Sequence, residues 1–130
     1  MMDAAVESVH RSDYDLAIVY MGTAFEVFSQ NLLLDYCQKN SVTQLPSTSW
    51  ATPQQAIENG NVQSDLLRYV QHLSKTDPKT SSAHGTWKTD AYNKRNAIVH
   101  RGVKGATQSE AVKACDAINA FMAYLRSLLP

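Results

Sequence analysis

Hydrophobic side chains recur along this chain at intervals of three and four residues, which is the spacing of one side of an α-helix. The first run predicts a helix from about Ser12 to Lys39, with Ser12 or Asp13 as its N-cap. The shorter stretch from Asp3 to His10 holds neither Gly nor Pro, which predicts another helix or the end of one. The spaced positions of the long helix are Leu16, Val19, Tyr20, Thr23 and Val27, followed by Leu33 and Leu34.

The middle of the chain combines a polar loop with a second run of helical spacing. Between Asn40 and Gly60, small and polar residues predict a loop that contains one short turn of helix after Pro53. Helical spacing then returns and stops near Asp77-Pro78. The apolar positions of this second helix are Val62, Leu66, Leu67, Val70 and Leu73.

Two more helices are predicted in the C-terminal half. The segment from Ser81 to Gly85 is interpreted as a polar break, and the helix after it ends at Gly102, which suits a left-handed terminal position. The apolar positions of that helix are Trp87, Ala91, Ile98 and Val99. The last helix opens with the capping box Thr107-Gln108-Ser109-Glu110. Its apolar stripe consists of Ala111, Cys115, Ile118, Met122 and Leu125, and extends to Leu129.

Length and patterning together predict one all-α domain over residues 1–130, folded as a bundle of four or five helices. No segment alternates with the period of a β-strand, and a chain of 130 residues is long enough for one hydrophobic core. The abrupt start of the sequence leaves open that the domain is a fragment of a longer protein.

Charge and cysteine usage narrow the possible function classes. The 12 basic and 12 acidic residues cancel, so contact with RNA requires a local basic patch. Such a patch surrounds Arg95, since the only acid between Lys88 and Lys104 is Asp90. Its members are Lys88, Lys94, Arg95, Arg101 and Lys104. The two cysteines fit reduced thiols, and the sequence predicts a cytoplasmic protein with no membrane span and no secretion signal.

The candidate chemistry lies in the segment Arg95-Asn96-Ala97-Ile98-Val99-His100. Cleaving RNA without a metal requires a base for the 2′-OH proton, an acid for the leaving 5′-oxygen and positive charge on the phosphoryl oxygens. His100 is predicted to handle protons, because imidazole exchanges a proton near neutral pH. Arg95 is predicted to stabilise the phosphoryl charge with its forked guanidinium, and Asn96 to position these groups.

Helical geometry adds a constraint on this segment. Asn96 and His100 share one face, whereas Arg95 and His100 differ by about 140° around an ideal helix. Thr89, Asn93, Asn96 and His100 form a polar row, which is interpreted as lying inside an otherwise apolar bundle. Polar groups in that position need partners, and a symmetric dimer meeting along this row would supply them and bring two Arg/His sets together.

This segment resembles the motif of the HEPN superfamily, in which Arg and a polar residue precede His by three variable positions. The stretch from Tyr14 to Glu26, in which small and apolar residues lead to a glutamate, is similar to the first long helix of many HEPN domains. The resemblance implies a helical bundle, a homodimer and metal-independent endoribonuclease activity that leaves a 2′,3′-cyclic phosphate and a 5′-OH. It also implies a role as a toxin or as an anti-phage defence effector. Arg101-Gly102-Val103 replaces the tyrosine that some toxin members carry after the histidine, where a partner antitoxin modifies them.

Several other residues have two interpretations. Glu26 either orients Arg95 or His100 or faces solvent, and Asn93 is a further supporting candidate. His10, His72 and His84 lack the spacing of metal ligands, so solvent-facing or incidental roles are expected, with no metal and no cofactor. Trp87 and Trp50 either stack RNA bases or pack, and packing is expected for Trp87.

The leading hypothesis is therefore a HEPN-like, homodimeric, metal-independent ribonuclease with Arg95, Asn96 and His100 as its catalytic set. Lys88, Lys94, Arg101 and Lys104 are expected to bind RNA. One alternative is a non-catalytic HEPN-like module that binds RNA or a protein, and another is a purely structural dimerisation domain of a larger regulator. An antitoxin or another defence protein is a possible partner.

Overall fold

The computed structural model describes residues 13–47 and 49–130, which form five helices and no strands. Helix α1 is Tyr14–Lys39 and α2 is Pro53–Glu58. Helix α3 covers residues 62–74, where the π-helical turn Val62–Leu66 continues into Leu67–Ser74. Helix α4 covers residues 82–101 and α5 is Gln108–Leu128. The predicted all-α bundle is thus confirmed, while the helix predicted from Asp3 to His10 lies outside the described residues.

Helix α4 itself has three parts. It starts as the α-helix Ser82–Trp87, widens into the π-helical turn Lys88–Tyr92 and returns to the α-helix Asn93–Arg101. π-Helical turns are rare and occur frequently at functional sites. The candidate motif lies wholly in the part after the wide turn.

The core is formed mainly between α1 and α5. An aromatic cluster joins these two helices to α4, because Phe25 packs against Phe121 at 5.6 Å and against Trp87 at 5.2 Å between ring centroids. All three rings are buried, as expected for Trp87. Burying a side chain of this size stabilises a fold by about 1.5–3 kcal/mol. The cluster therefore fixes how α4 lies across α1.

The buried side of α1 differs from the row that sequence spacing picked out. Leu16 and Val27 from that row are 36% and 45% exposed. The buried positions are instead Ala17, Ile18, Met21, Phe25, Ser29, Leu33 and Cys37. Because α1 carries apolar residues on nearly every side, both rows satisfy the helical period. By length and composition α1 is also, among the described residues, the one helix apolar enough to cross a membrane, a property that core helices share.

Four helix boundaries lie where the sequence predicted them. The Asp13 carboxylate accepts a hydrogen bond from the Leu16 N–H at 3.2 Å, and Thr107 and Glu110 form the expected capping box. Gly102 ends α4 in the left-handed conformation with φ of 65°. Helix α2 begins at Pro53 as predicted.

The predicted polar break from Ser81 to Gly85 is wrong. Only Ser81 lies outside the helix, where its hydroxyl accepts a hydrogen bond from the His84 N–H at 3.1 Å and so caps α4. His84 is buried, with its ring 5.6 Å from that of Trp87, so a solvent-facing role is also wrong for this histidine. The segment is polar because a serine caps the helix and a buried histidine packs on aromatic rings. Its amino-acid composition is therefore the same as that of a loop, which explains the error.

Candidate functional site

Arg95, Asn96 and His100 line one cleft of about 130 Å³ on the surface of the bundle. Glu26 of α1 lines the same cleft. The structure thus brings together three residues of the predicted catalytic set and one of the two supporting candidates. The remaining lining comes from Gly22, Phe25, Asn61, Val62, Trp87, Ala91 and Tyr92.

Arg95 is held in place from two sides. Its Nη1 forms an ion pair with Oε1 of Glu26 at 2.8 Å, which favours the orienting role of Glu26 over the solvent-facing one. Its aliphatic stem packs directly on Gly22, since a Cβ at that position would lie 2.5 Å from Cδ and 3.0 Å from Nε. These two contacts therefore fix the guanidinium at the cleft. Arg95 and His100 line the same cleft even though an ideal helix would separate them by about 140° around its axis.

Arg95 also carries an unsatisfied polar atom. Its Nε is buried and has no hydrogen-bond partner. A buried donor without a partner costs about 1–3 kcal/mol. The ion pair with Glu26 offsets less than this, about 0–1 kcal/mol, because the Arg95 and Glu26 side chains are 22% and 40% exposed. We therefore expect the Arg95 guanidinium to cost the fold stability at the position where it lines the cleft.

We expect Arg95→Met to raise the free energy of unfolding by about 1 kcal/mol, because the variant keeps the aliphatic stem and removes the unpaired Nε. Chemical denaturation measures the change. The matched control is Lys94→Met on the next residue, which breaks an ion pair with Glu110 at 2.7 Å and removes no unpaired buried atom. This control should lower stability by at most about 1 kcal/mol. A clear loss of stability in Arg95→Met would contradict the expectation that the unpaired Nε destabilises the fold.

His100 and Asn96 are open to solvent to different degrees. His100 is exposed in the last turn of α4, and its side chain forms no hydrogen bond or ion pair with another residue in the described part of the chain. Asn96 is half-buried beside it. An exposed imidazole at the rim of a cleft is accessible to a polymeric substrate such as RNA.

The interpretation that the polar row lies inside the bundle is wrong. Thr89, Asn93 and His100 are all exposed, and only Asn96 is half-buried. The inner side of α4 is occupied by Trp87 and Ala91. The row therefore needs no second protomer to satisfy buried polar groups, and that particular argument for a dimer does not apply.

Most of the predicted RNA-binding residues lie away from this cleft. Asn93, Lys94, Arg101 and Lys104 line a second depression of about 370 Å³, which Arg95, Asn96 and His100 do not line. The Lys94 Nζ donates to Glu110 Oε2 at 2.7 Å, so this ammonium already has an anionic partner. That hydrogen bond and those from Thr107 lower the pKa of the Glu110 carboxyl. Lys88 is exposed and lines neither depression.

A carboxylate of α1 holds the loop that follows the motif. The two oxygens of Asp15 accept hydrogen bonds from the backbone N–H groups of Gly105 and Ala106 at 3.0 and 2.9 Å. The loop that carries Lys104 is thus tied to the first turn of α1. No local pattern predicts this contact, because Asp15 and Ala106 lie 91 positions apart.

Among the residues that the structure describes, His72, His84 and the two cysteines do not line the cleft, while His10 lies outside those residues. Burial and the charge of Lys79 lower the pKa of His84, whose Nε2 lies 3.3 Å from Gln63 Oε1. Cys37 and Cys115 are free, and burial raises the pKa of each thiol. No group of three or more potential metal ligands occurs in residues 13–47 and 49–130. Trp50 is exposed in the loop after α1, far along the chain from the motif.

Sequence reasoning missed three contributors to the cleft. Gly22 lies in the stretch of small and apolar residues from Tyr14 to Glu26, but nothing in the sequence indicates that its missing Cβ makes room for Arg95. Asn61 and Tyr92 line the cleft and were not singled out. The position of Asn61 directly before a helical run is a recognisable N-cap pattern, so a signal for its place at the helix end was present.

No protein-family model, curated protein or solved structure matches this chain. The motif and the geometry of the cleft are therefore the observations that bear on function.

Proposed function

We propose that this protein is a HEPN-like, metal-independent endoribonuclease that acts as a homodimer with a composite Arg/His site. The observation that carries the proposal is the convergence of Arg95, Asn96 and His100 on one cleft, with Glu26 holding Arg95 there. These side chains supply a fixed cation, an amide and a proton-exchanging group within one small volume. No comparable set of described side chains supports acyl transfer or the binding of a nucleotide by a phosphate-binding loop.

The proposed reaction is an attack of the ribose 2′-oxygen on the adjacent phosphorus. A base removes the 2′-OH proton, the bond between phosphorus and the 5′-oxygen breaks, and an acid gives that oxygen a proton. The products are a 2′,3′-cyclic phosphate and a 5′-OH. His100 handles the protons, Arg95 stabilises the charge on the phosphoryl oxygens, and Asn96 positions the scissile group. Glu26 acts through Arg95 as a positioning residue.

Stoichiometry supports the homodimer. The reaction needs a base and an acid, whereas the only histidine that lines the cleft among the described residues is His100. A second protomer related by a two-fold axis would supply the second imidazole. Exposed apolar side chains provide surface for such a contact: Val99 and Val103 follow Arg95 along the chain, and Leu16 and Val27 lie on the outer side of α1.

The basic residues of the second depression are proposed to bind the RNA backbone beyond the cleft. Arg101 and Lys104 line this depression and are exposed. Lys94 must exchange its contact with Glu110 for a phosphate to take part. Lys88 adds a further exposed charge at the start of the wide turn of α4. The neutral net charge of the chain makes such local contacts the main source of affinity for RNA.

The test is an RNA cleavage assay with purified protein in excess EDTA. We expect cleavage to persist, because the proposed chemistry uses only side chains, and we expect the new ends to be a 2′,3′-cyclic phosphate and a 5′-OH. Mass spectrometry of the fragments identifies both ends, and sedimentation measures the dimer. Complete loss of cleavage in EDTA that returns with added metal would contradict the proposal.

The biological setting follows from this activity. An enzyme that cuts RNA in the cytoplasm harms its own host unless restrained, so a toxin or an anti-phage defence effector with an antitoxin or defence partner is proposed. The alternative is a non-catalytic HEPN-like module that binds RNA or a protein through the same surface. The second depression favours this alternative, because the exposed cations Arg101 and Lys104 line it and the proposed catalytic set does not. Salt-sensitive RNA binding without any cleavage products would identify it.

A further inference from the structure

Asn61 is the N-cap residue of α3, lines the cleft and has a fixed side-chain orientation. Its Oδ1 accepts hydrogen bonds from the backbone N–H groups of Gln63 at 2.9 Å and Ser64 at 3.3 Å. Its own backbone N–H donates to Oδ2 of Asp65 at 2.9 Å. Because two backbone donors require an oxygen opposite them, the amide cannot be flipped, and Nδ2 is the end that faces away from the helix.

The Nδ2 group of Asn61 is therefore a pair of donors with no partner in the described part of the chain. Asn61 is exposed and lines the cleft that Arg95 and His100 share. The group offers two N–H bonds and no acceptor, since its oxygen is fully used by the helix cap. Asn61 therefore favours a ligand group that accepts hydrogen bonds.

Tyr92 places an aromatic ring in the same cleft. It is half-buried and packs against Trp87 at 5.0 Å between ring centroids, which limits its movement. A partly exposed, rigidly held ring is a surface on which a nucleobase stacks. An aromatic ring and a neutral amide recognise bases, whereas the phosphoryl charge is matched by the guanidinium of Arg95.

We propose that Asn61 and Tyr92 form a nucleobase subsite next to the scissile phosphate that selects uracil or guanine, the bases with a keto oxygen at pyrimidine C4 or purine C6. This inference rests on the proposed ribonuclease function and adds its specificity. The two N–H donors of Asn61 match O4 of uracil or O6 of guanine. Cytosine and adenine carry an amino group at these positions, which would set donor against donor. Asn61 is thus a specificity-determining residue.

The test uses 2′-O-methylated RNA in which a single nucleotide keeps its 2′-OH, so that only one linkage reacts. The base on either side of that linkage is varied one position at a time, and relative cleavage rates are measured. At one of the two positions, wild-type protein should cleave substrates with uracil or guanine roughly 3- to 10-fold faster than those with cytosine or adenine, the value of one hydrogen bond. Because all substrates carry the same charge, the ratio isolates base recognition.

Two variants separate recognition from helix capping. Asn61→Asp keeps an N-cap oxygen but replaces the donors with an acceptor, so the preference should change to cytosine and adenine. Asn61→Ser also caps the helix but lacks the Nδ2 donors, so the preference should disappear. Thermal melting confirms that both variants remain folded, as expected for residues that cap helices about equally well.

The outcomes distinguish the subsite from the enzyme itself. Cleavage by wild-type protein with the same base ratios in Asn61→Asp and Asn61→Ser would overturn the subsite and leave the ribonuclease proposal intact. No cleavage of any substrate by the folded wild-type dimer would overturn both. A change in base ratio that follows the amide chemistry supports the inference, because a purely structural role alters all four rates equally.

Discussion

Replacing His100 by alanine is expected to lower the rate of RNA cleavage by about 10²–10⁴-fold, the usual contribution of a general acid or base. His100 is the histidine at the rim of the cleft that Arg95 and Asn96 also line. Its loss removes the proposed proton-transfer group from both protomers of a dimer. Because the side chain is exposed and forms no hydrogen bond or ion pair with another described residue, the free energy of unfolding should change by less than about 1 kcal/mol.

The matched control for this variant is His72→Ala. His72 is also exposed and also lies near the end of a helix, in α3, but it lines none of the depressions described here. It should retain full cleavage activity. Arg95→Met should lose activity to a similar extent as His100→Ala while gaining stability. Undiminished cleavage by both His100→Ala and Arg95→Met would refute the assignment of the site.

Substituting Gly22 by alanine is expected to lower cleavage by about 100-fold without any change in the motif itself. The new Cβ would lie 2.5 Å from Cδ of Arg95, a distance that real side chains do not tolerate. Cδ lies in the middle of the side chain, so the guanidinium must move away from α1 and from Glu26. A displacement of about 1 Å in a positioning group can cost about 10²-fold in rate.

Gly85→Ala provides the control for the glycine substitution. Both glycines lie inside helices, yet a Cβ at Gly85 meets no atom within 4 Å. This variant should keep full activity and gain about 0.5–1 kcal/mol of stability, the usual advantage of alanine over glycine in a helix. Cleavage rates and denaturation curves of both variants measure the two effects. Equal activity in Gly22→Ala and wild type would mean that the contact between Arg95 and α1 is irrelevant to function.

Local signals in the sequence predicted much of the fold. Capping residues such as Asp13, Thr107 and Glu110 act within a few positions of the helix start, so their effect can be inferred from neighbouring residues alone. The same applies to Gly102, because only its own backbone conformation is involved. Which side of a helix is buried depends on residues that are distant in sequence. On α1 two apolar rows compete, and packing against Phe121 and Trp87 decides between them.

The candidate site was predictable only in part for the same reason. The motif gave Arg95, Asn96 and His100, and the structure places all three at one cleft. The motif does not predict that Lys94 pairs with Glu110 or that Arg101 and Lys104 line a different depression. Charges close in sequence occupy different sides of a helix, and their partners come from distant segments. The contribution of Asn61 depends on where α3 begins relative to α4, which no local pattern specifies.

The wide turn Lys88–Tyr92 has a consequence for how this site arose. A π-helical turn holds one residue more than the α-helix that it interrupts. Removing that residue would rotate every later side chain of α4 by about 100° around the axis. Arg95 would then no longer face Gly22, although all six letters of the motif would be unchanged. A single additional residue in this turn thus determines whether the side chains of the motif meet at the candidate site.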